Sequence, residues 1–520
     1  MEGRKPVKFV VFNENDEAFE ENQENKLINV SNRAEALKLK LTENEHRLGL
    51  AKVHVVKTEN KIKREWPVLF NPDKFKKVYI HVDLDSFYAS VETLLHPEYN
   101  DVPLGVGSLT MLAACNYKAR EFNIKAGMPG YHAKKLCPHL VITKCSFDKY
   151  NFYSEIVMGI LSIYDENVEI YGIDEACLVF DENKLRHAYN VFNQNSRFGK
   201  SLGTDYVEYT GFNFESVHKL VDLIRNVVHR NTGGLTISAG LSVCRGLAKF
   251  SSNINKPNGS FKIKNNFDRF LFPLEVDKIN GIGKMTKELL FKTLKIKTIE
   301  QLRNELHKIY LMLPEKSFTN IMRLSYGLSN FDYSHFLNGK KYSKNHSIGN
   351  GWTIKPTNDH RDICMHLWTL ANSVYYRMKR QKYYGSVVTL TIKFTTFKQK
   401  TRQKKSSFLL KDLIDIFNIA YDLFKNNFVT IKDDEKMVED KIRLVGISIS
   451  SLVSSKLPKI TSYLKPINKI KPKPIHPRTC IICNAPFIHE SDFIYQKHVN
   501  ECINEKEKSN RNNLRRYFDK

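Results

Sequence analysis

The sequence of 520 residues is poor in cysteine and has no long hydrophobic run. Its nine cysteines are an odd number and too few for a disulfide framework in a chain of this length, so we expect a reducing compartment. No apolar run approaches the roughly 20 residues of a membrane-spanning helix. The basic N-terminus is not followed by the apolar segment of a signal peptide. These absences favour a soluble protein inside the cell, and we expect no membrane partner.

What the sequence has in excess is positive charge. Lysine and arginine total 81 against 56 acidic residues, which gives a formal net charge of +25. A hydrophobic content of 42% is enough for packed cores, and the length predicts several domains. A charge of this size indicates a polyanionic partner such as nucleic acid.

Changes in composition along the chain predict where structure begins and ends. Residues 13–26 hold six acids and no base before Lys26, so we expect this stretch to lack fixed structure. Residues 30–65 have a helical pattern. Residues 181–212 show no clear period and predict an insertion loop. Residues 456–478 hold seven basic residues, five prolines and no acid, which predicts an extended cationic linker.

Residues 78–85 alternate strictly between apolar and polar side chains, which predicts a strand. Its polar face would carry His81, Asp83 and Asp85. Two carboxylates on one buried face require a cation, and Mg²⁺ is the hard ion that prefers oxygen ligands. In the alternative interpretation, the two aspartates only cap a helix that starts near Ser86. The residues alone leave both interpretations open.

A second acidic pair, Asp174 and Glu175, lies within residues 168–180. Adjacent side chains point to opposite faces of a flat strand, so both can reach one ion only if the backbone bends, and Gly172 makes a bend easier. The alternative is an acidic turn in solvent. With Asp83, this pair supplies three carboxylates for two ions, the usual apparatus for activating a hydroxyl and stabilising a pyrophosphate leaving group. In a basic protein, such a set indicates nucleotidyl transfer.

Five segments in order resemble the motifs of the Y-family, or translesion, DNA polymerases, and are most similar to those of the eukaryotic kappa branch of the DinB class. The segments are residues 83–92, 107–120 with its continuation through 126–130 to 136–138, 173–176, 255–259 and 281–284. Each motif alone is moderately specific, but together they stand in the family's order.

The resemblance implies an α+β multidomain fold shaped like a right hand. The expected parts are an N-terminal extension (1–76) placed where kappa enzymes carry an N-clasp, a palm (77–275) with inserted fingers (about 105–150), a thumb (276–340), a little finger (346–455), the basic linker (456–478), a zinc finger (479–505) and a tail (506–520).

The resemblance also implies a set of metal ligands. Asp83 and Asp174 would bridge two Mg²⁺ ions, and Glu175 would complete the ion at the primer 3′-hydroxyl. The backbone carbonyl of Leu84 would bind the ion on the nucleotide side.

Four further residues would bind the incoming dNTP. Tyr88 would stack under the sugar and exclude a 2′-hydroxyl, acting as a steric gate. Tyr117, Arg120 and Lys256 would hold the triphosphate. The chain departs from the family at Gly172, where the family usually has serine, and this departure predicts the loss of a hydrogen bond near the primer.

Primer-template DNA would be held at two further places. Residues 276–290 are typical of a helix-hairpin-helix, with Gly281, Gly283 and Lys284 at the turn, where backbone N–H groups can approach a phosphate. Ten basic residues and no acid lie between 377 and 405. Of these, Lys393 and Lys398 are the expected contacts to phosphate in the little finger.

Near the C-terminus, Cys480, Cys483, His498 and Cys502 have the spacing of a structural zinc site. The segment resembles the ubiquitin-binding zinc fingers of translesion proteins, although Asn500 stands where that family usually has an acid. Nucleic-acid binding by this finger is the alternative.

The tail resembles a motif that binds the PCNA sliding clamp. Its expected clamp contacts are Leu514, Tyr517 and Phe518.

The resulting hypothesis is a template-directed, low-fidelity DNA polymerase without a proofreading exonuclease, acting in DNA damage tolerance in the nucleus. One alternative keeps the fold but makes the chain a scaffold at ubiquitinated clamps with weak catalysis. Another places it in a different Y-family branch, similar to a dCMP transferase. A Mg²⁺-dependent glycosyltransferase would account for the two aspartates of 83–85 but leaves Lys256 and the zinc pattern unexplained.

Overall fold

The computed structural model describes residues 17–194, 207–329, 332, 347–432 and 435–454. The chain divides into two compact units, residues 25–342 and residues 343–520 together with the first 24. Each unit has a large hydrophobic core of its own. The architecture is α+β, as the sequence predicts.

The helices and strands alternate irregularly along the described residues. The helices are α1 (Glu17–Glu43), α2 (Leu48–Glu65), α3 (Phe87–Leu95), α4 (Tyr117–Glu121), α5 (Gly130–Leu136), α6 (Phe147–Tyr164), α7 (Glu182–Gln194), α8 (Phe214–Asn231), α9 (Arg245–Ser251), α10 (Phe267–Leu271), α11 (Lys284–Leu294), α12 (Ile299–Asn304), α13 (Leu306–Met312), α14 (Glu315–Ser325), α15 (His360–Gln381) and α16 (Leu413–Phe428). The strands are β1 (Val78–Leu84), β2 (Leu104–Gly107), β3 (Leu112–Cys115), β4 (Val141–Thr143), β5 (Glu169–Ile170), β6 (Glu175–Phe180), β7 (Ile237–Ser242), β8 (Ser260–Ile263), β9 (Ser347–Asp359), β10 (Tyr383–Phe394), β11 (Gln399–Leu410), β12 (Thr430–Lys432), β13 (Glu435–Ser450) and β14 (Val453–Ser454).

A five-stranded sheet, which we call the central sheet, forms the middle of the larger unit in the order β5-β6-β1-β7-β8. β1 is antiparallel to both β6 and β7, and β8 is parallel to β7. Almost every residue of β1 is buried because the sheet is covered on both faces. The alternation of residues 78–85 therefore predicts the strand correctly but not the burial of both faces.

A second, three-stranded sheet has the order β3-β2-β4 and carries α4 and α5. It has a separate small core, in which Leu112, Cys115, Ala119 and Cys137 are fully buried.

Two sequence predictions fail at the ends of helices. α1 begins at Glu17, so residues 17–26 are helical rather than without fixed structure, and the helix dipole favours glutamates in such a first turn. Residues 182–194 of the predicted insertion loop form α7, which buries Leu185, Ala188 and Phe192 at helical spacing. The prediction of helix over residues 30–65 is confirmed, as two helices separated by a short turn.

The N-terminal helices, α1 and α2, pack against the helical segment that follows the central sheet. His54 of α2 stacks on Tyr310 of α13, with ring centroids 4.3 Å apart. Val30 and Ala34 of α1 pack against Leu289 of α11. The N-terminal extension thus belongs to the core of the larger unit from residue 25 onward.

In the smaller unit, β13 lies between β10 and β9, and β10 pairs with β11 on its other edge. Val388, Leu390 and Ile392 of β10 are buried, as their alternation predicts. α15 and α16 pack together and against this sheet, and their inward side chains complete its core.

The six cysteines of the described residues form no disulfide, and four of them are buried. No helix in the described part of the chain combines the length and the hydropathy needed to cross a membrane.

Candidate active site

Three carboxylates meet at one end of the central sheet. The β1–β6 register places Asp83 directly opposite Glu175. The Leu84 N–H donates to the Asp174 carbonyl at 2.9 Å, which holds the backbone of the second acidic segment against the end of β1. β5 and β6 pair antiparallel, so the chain reverses direction between Ile170 and Glu175. The backbone bend expected near Gly172 is therefore confirmed.

The charges of these carboxylates act on one another. Burial raises the pKa of the Asp174 carboxyl, and the neighbouring charges of Asp83 and Glu175 raise it further. Like charges this close are the arrangement that a divalent cation would neutralise.

Two lysines contact the cluster. Lys256 forms an ion pair with Asp83, and Lys249 of α9 forms one with Glu175. All four of these side chains are mostly buried, with exposed fractions between 18% and 28%. The sequence predicts Lys256 as a triphosphate ligand, but in the structure it contacts Asp83.

Glu175 also accepts a hydrogen bond from a buried histidine. His81 Nε2 lies 3.2 Å from Glu175 Oε2, and His81 Nδ1 lies 2.9 Å from the Ser252 hydroxyl. Burial lowers the pKa of His81, which favours the neutral ring with its proton on Nε2. The hydrogen bond from His81 and the charge of Lys249 lower the pKa of Glu175 to about 2.

The chemistry of the donors suits Mg²⁺, since all three are carboxylates and their charges interact. Within the described ranges, no three histidine, cysteine, aspartate or glutamate side chains close around a common point. Asp83 and Glu175 turn to their lysines instead. The three acids therefore fit the ion in kind, and lysines are the counter-ions of Asp83 and Glu175.

Asp85 does not join the cluster, contrary to the expectation that it shares a face with Asp83. β1 ends at Leu84, and Asp85 is only 3% exposed. Its carboxylate accepts from the hydroxyls of Thr236 and Ser238 at 2.8 and 2.6 Å and from the Asn258 N–H at 2.8 Å. These bonds hold the loop that carries Lys256, so Asp85 neither helps to bind the ion nor caps α3.

Tyr88 lies beside the carboxylates on the first turn of α3. Its ring stacks on Tyr150 with centroids 4.4 Å apart and planes 10° apart, and Phe147 packs against its edge. Burial and the charge of Asp174 raise the pKa of Tyr88. The ring is thus packed and half-buried, within reach of the charge of Asp174.

Tyr117 and Arg120 lie together on α4. The Arg120 guanidinium carbon is 4.5 Å from the centre of the Tyr117 ring. The Tyr117 hydroxyl is buried and has no partner of regular hydrogen-bond geometry among the described residues. Burial and the charge of Asp85 raise its pKa, so Tyr117 is near the same end of the sheet. A buried hydroxyl beside a cation can donate a hydrogen bond to an anionic ligand.

Gly172 lies against the carboxylate of Asp174. A Cβ at this position would be 3.3 Å from Asp174 Oδ1, tighter than an ordinary contact. The serine that the family usually has here would therefore place its side chain directly on this carboxylate.

The expected DNA contacts lie in separate units. Gly281 has a φ of +117°, Gly283 precedes the first residue of α11, Lys284, and a Cβ on Gly283 would meet nothing. In the smaller unit, Lys393 lies over the Phe397 ring at 4.6 Å and Lys398 is exposed.

The predicted zinc ligands and clamp contacts cannot be placed in the same way. Residues 480–502 and 514–518 lie outside the described residues.

Two family models match the sequence. Residues 82–253 match the impB/mucB/samB family, and residues 345–461 match the C-terminal domain of the same family. Together they account for more than half of the chain. The chain therefore belongs to the impB/mucB/samB family, the Y-family of DNA polymerases.

Its relatives place it in the kappa and polymerase IV branch of that family, at about 30% identity. It is 30% identical to DNA polymerase kappa of Arabidopsis thaliana over 380 residues, which cover 72% of this chain and 50% of that protein. It is 29% identical to DNA polymerase IV of Ureaplasma parvum, over 73% of this chain and 95% of that protein. The chain thus spans about half the length of the kappa protein.

A solved structure has the same fold. A chimera of the Y-family DNA polymerases Dbh and Dpo4 superposes with a TM-score of 0.56 at 21% identity, covering 72% of this chain and 99% of the chimera.

Proposed function

We propose that this protein is a template-directed DNA polymerase that adds dNMP from dNTP to a primer 3′-hydroxyl, with low fidelity and no proofreading exonuclease, in translesion synthesis. The observation that carries the proposal is the meeting of Asp83, Asp174 and Glu175 at one end of the central sheet, with Lys256 and Tyr88 beside them. Membership of the Y-family and the relatives named as polymerases support it.

Asp83, Asp174, Glu175 and the Leu84 carbonyl are the groups that would hold two Mg²⁺ ions. Bound there, Mg²⁺ would activate the primer hydroxyl and neutralise the charge that develops on the pyrophosphate. The protein's own part is positioning: β1 and β6 hold the acids, and the Leu84–Asp174 backbone hydrogen bond fixes their separation.

Tyr117, Arg120 and Lys256 would bind the triphosphate. The Arg120 guanidinium lies over the Tyr117 ring, so the two side chains together offer a cation and a hydroxyl donor on α4. Lys256 would leave Asp83 for the phosphates when the nucleotide arrives, because both partners are anionic and the loop of Lys256 is already held by Asp85.

The larger unit would hold the palm (77–275), the fingers (about 105–150) and the thumb (276–340). The N-terminal extension (1–76) would be a clasp on DNA. The smaller unit would be the little finger (346–455). The turn with Gly281, Gly283 and Lys284 and the basic strand region with Lys393 and Lys398 would bind primer-template phosphates.

Primer extension tests the proposal. We expect the wild-type protein to extend a primer in the presence of Mg²⁺, on undamaged templates and on templates with a bulky adduct. The Asp174→Ala/Glu175→Ala variant should lose activity on the order of 10³-fold. Glu166→Ala changes an exposed acid in the same sheet region and should be fully active. If the wild-type protein extended no primer in the presence of Mg²⁺, the proposal would be rejected.

We also propose that residues 479–505 form a zinc finger with Cys480, Cys483, His498 and Cys502 as ligands, and that this finger binds ubiquitin. The spacing of the four residues supports zinc, and the resemblance supports ubiquitin. A Cys480→Ala/Cys483→Ala variant should lose bound zinc and ubiquitin pulldown together. Loss of zinc with ubiquitin binding intact would reject the ubiquitin assignment.

The tail would bind the PCNA sliding clamp through Leu514, Tyr517 and Phe518, and the protein would act in the nucleus. Replacement of Tyr517 and Phe518 by alanine should abolish PCNA binding in calorimetry. Imaging of a fluorescent fusion tests the location, and a fusion excluded from nuclei would contradict it.

A further inference from the structure

The short helix α9 contacts the second catalytic segment at two points. Arg245 forms a two-bond ion pair with Glu169 of β5, at 2.8 Å from Nε and 2.5 Å from Nη2. Four residues later on the same helix face, Lys249 pairs with Glu175. One pair holds the strand before the catalytic turn and the other holds the carboxylate after it.

Two side chains from different elements bond to the carboxylate of Glu175. Lys249 approaches it from α9, and His81 approaches it from β1. The other nitrogen of His81 bonds to Ser252, the residue that follows α9. The strand of Asp83 and the helix of Lys249 are therefore joined through the glutamate that lies between them.

α9 is a rigid support for this purpose. A Cβ on Gly240 of β7 would overlap the backbone of Ala248 and Ser252, so the helix lies directly on the sheet. The buried carboxylate of Asp332 accepts from the N–H groups of Arg245 and Gly246 at 2.9 and 3.1 Å, closing the first turn. The backbone of Lys249 is therefore held against the sheet, and its ion pair with Glu175 spans from this helix to β6.

We propose that Lys249 is a positioning residue that holds Glu175 in its catalytic orientation from the rigid platform of α9. The proposal rests on the proposed polymerase function. A glutamate side chain has three rotatable bonds, and an ion pair with a fixed partner removes alternatives that would point the carboxylate away from Asp83 and Asp174. A methionine at position 249 fills the same space but offers no charge.

Single-turnover primer extension with Lys249→Met, Lys249→Arg and Lys262→Met tests the role. Lys262 is the matched control, since it pairs with Glu215 elsewhere on the same sheet at a similar exposure. We expect Lys249→Met to lower the maximal rate about 10- to 100-fold with the dissociation constant for dNTP changed less than about 3-fold. Lys249→Arg should restore most of the rate, and Lys262→Met should match the wild type.

Hydrogen exchange of the peptide that spans residues 165–176 gives a readout that needs no activity. Exchange should rise in Lys249→Met and stay at the wild-type level in Lys249→Arg and Lys262→Met. An unchanged exchange in Lys249→Met, or an unchanged maximal rate beside an active wild type, would overturn the positioning role. An inactive wild type would instead reject the polymerase proposal, and the exchange measurement would still decide the role of Lys249.

Discussion

Asp83, Asp174 and Glu175, taken with Lys249 and Lys256, leave the proposed active site with one excess negative charge. Each lysine has a different attachment. Lys249 belongs to α9, a helix packed on the sheet, whereas Lys256 belongs to a loop that is hydrogen-bonded to Asp85. The unmatched acid is Asp174, whose raised pKa reflects the charges of the other two. One of the two counter-ions, Lys249, is therefore attached to a packed helix, and the other, Lys256, is attached to a loop.

Lys256→Met should change metal binding and nucleotide binding in opposite directions. Without the lysine, Asp83 has no counter-ion, so we expect Mn²⁺ to bind more tightly in the absence of nucleotide. The dissociation constant for dNTP should rise about 10-fold or more, as for the loss of one charged hydrogen bond. Electron paramagnetic resonance of free Mn²⁺ and single-turnover kinetics measure the two effects. Weaker Mn²⁺ binding in this variant would contradict the exchange.

Tyr88→Ala should relax sugar selection. The ring is held by Tyr150 and Phe147 beside Asp174, so its removal opens a space where a 2′-hydroxyl would otherwise clash. The ratio of ribonucleotide to deoxynucleotide incorporation should rise about 10-fold or more, which requires only about 1.4 kcal/mol of lost discrimination. Tyr88→Phe keeps the ring and should keep the wild-type ratio. An unchanged ratio in Tyr88→Ala would remove the gate role.

The sequence could predict the acids but not all of their partners. The sequence predicts a site at Asp83, Asp174 and Glu175 because carboxylates in apolar strands need a neutralising cation. Asp85 lies in the same alternating sequence pattern but makes different contacts. Because β1 ends at Leu84, the carboxylate of Asp85 bonds to Thr236 and Asn258 instead of joining the other acids. Lys249 gives no signal of its own in the sequence. Its role arises from α9 lying on β7, which is a long-range contact.

At the scale of helices and strands, short-range patterns were informative where one period persisted. Strict alternation of apolar and polar residues predicts β1 and β10. The bend before Glu175 is predicted because the adjacent side chains of Asp174 and Glu175 can reach one ion only if the backbone bends. α7 is not predicted, although Leu185, Ala188 and Phe192 have helical spacing, because the asparagines and glycines that follow it in the sequence mask the period. Packing against the core determines whether such segments form a helix.

The N-terminal helices provide a prediction at the scale of elements. Ala51 of α2 is fully buried, and its neighbour Leu50 is 69% exposed. Ala51→Asp places a charge in the contact between α2 and the core, so we expect α2 to detach and residues 44–65 to become sensitive to protease. The melting temperature should fall by several degrees. Leu50→Asp is the matched control.

Proteolysis patterns decide this prediction. Protection of residues 44–65 in Ala51→Asp equal to that in Leu50→Asp would show that the packing of α2 contributes little. If the extension also clasps DNA, only Ala51→Asp should weaken binding to primer-template, since only that change displaces the helix.

At the scale of the whole molecule, the net charge of +25 is unevenly placed. The catalytic acids lie in the larger unit with lysines matched to two of them. The strand β11 of the smaller unit is exposed along most of its length and carries Lys400, Arg402, Lys404 and Lys405. Residues 456–478, the predicted linker, add seven basic residues without an acid. The excess charge is therefore distant in sequence from the residues proposed to do the chemistry.

This separation predicts that the linker sets the salt dependence of DNA binding without affecting catalysis. The logarithm of the binding constant falls with the logarithm of salt concentration by about 0.9 for each phosphate neutralised. Replacing the linker cations by glutamine should reduce this slope by about 2 or more, with the maximal extension rate unchanged. The positions are Lys456, Lys459, Lys465, Lys469, Lys471, Lys473 and Arg478.

Fluorescence anisotropy with a primer-template between about 50 and 200 mM salt measures the slope. A chain with the five linker prolines changed to serine keeps all seven charges and should keep the wild-type slope. If the glutamine variant had the wild-type slope as well, the linker would make no phosphate contact, and the folded units alone would account for the electrostatic binding. A reduced slope in the serine variant would show instead that the stiffness of the proline-rich linker, rather than its charge alone, presents the cations to DNA.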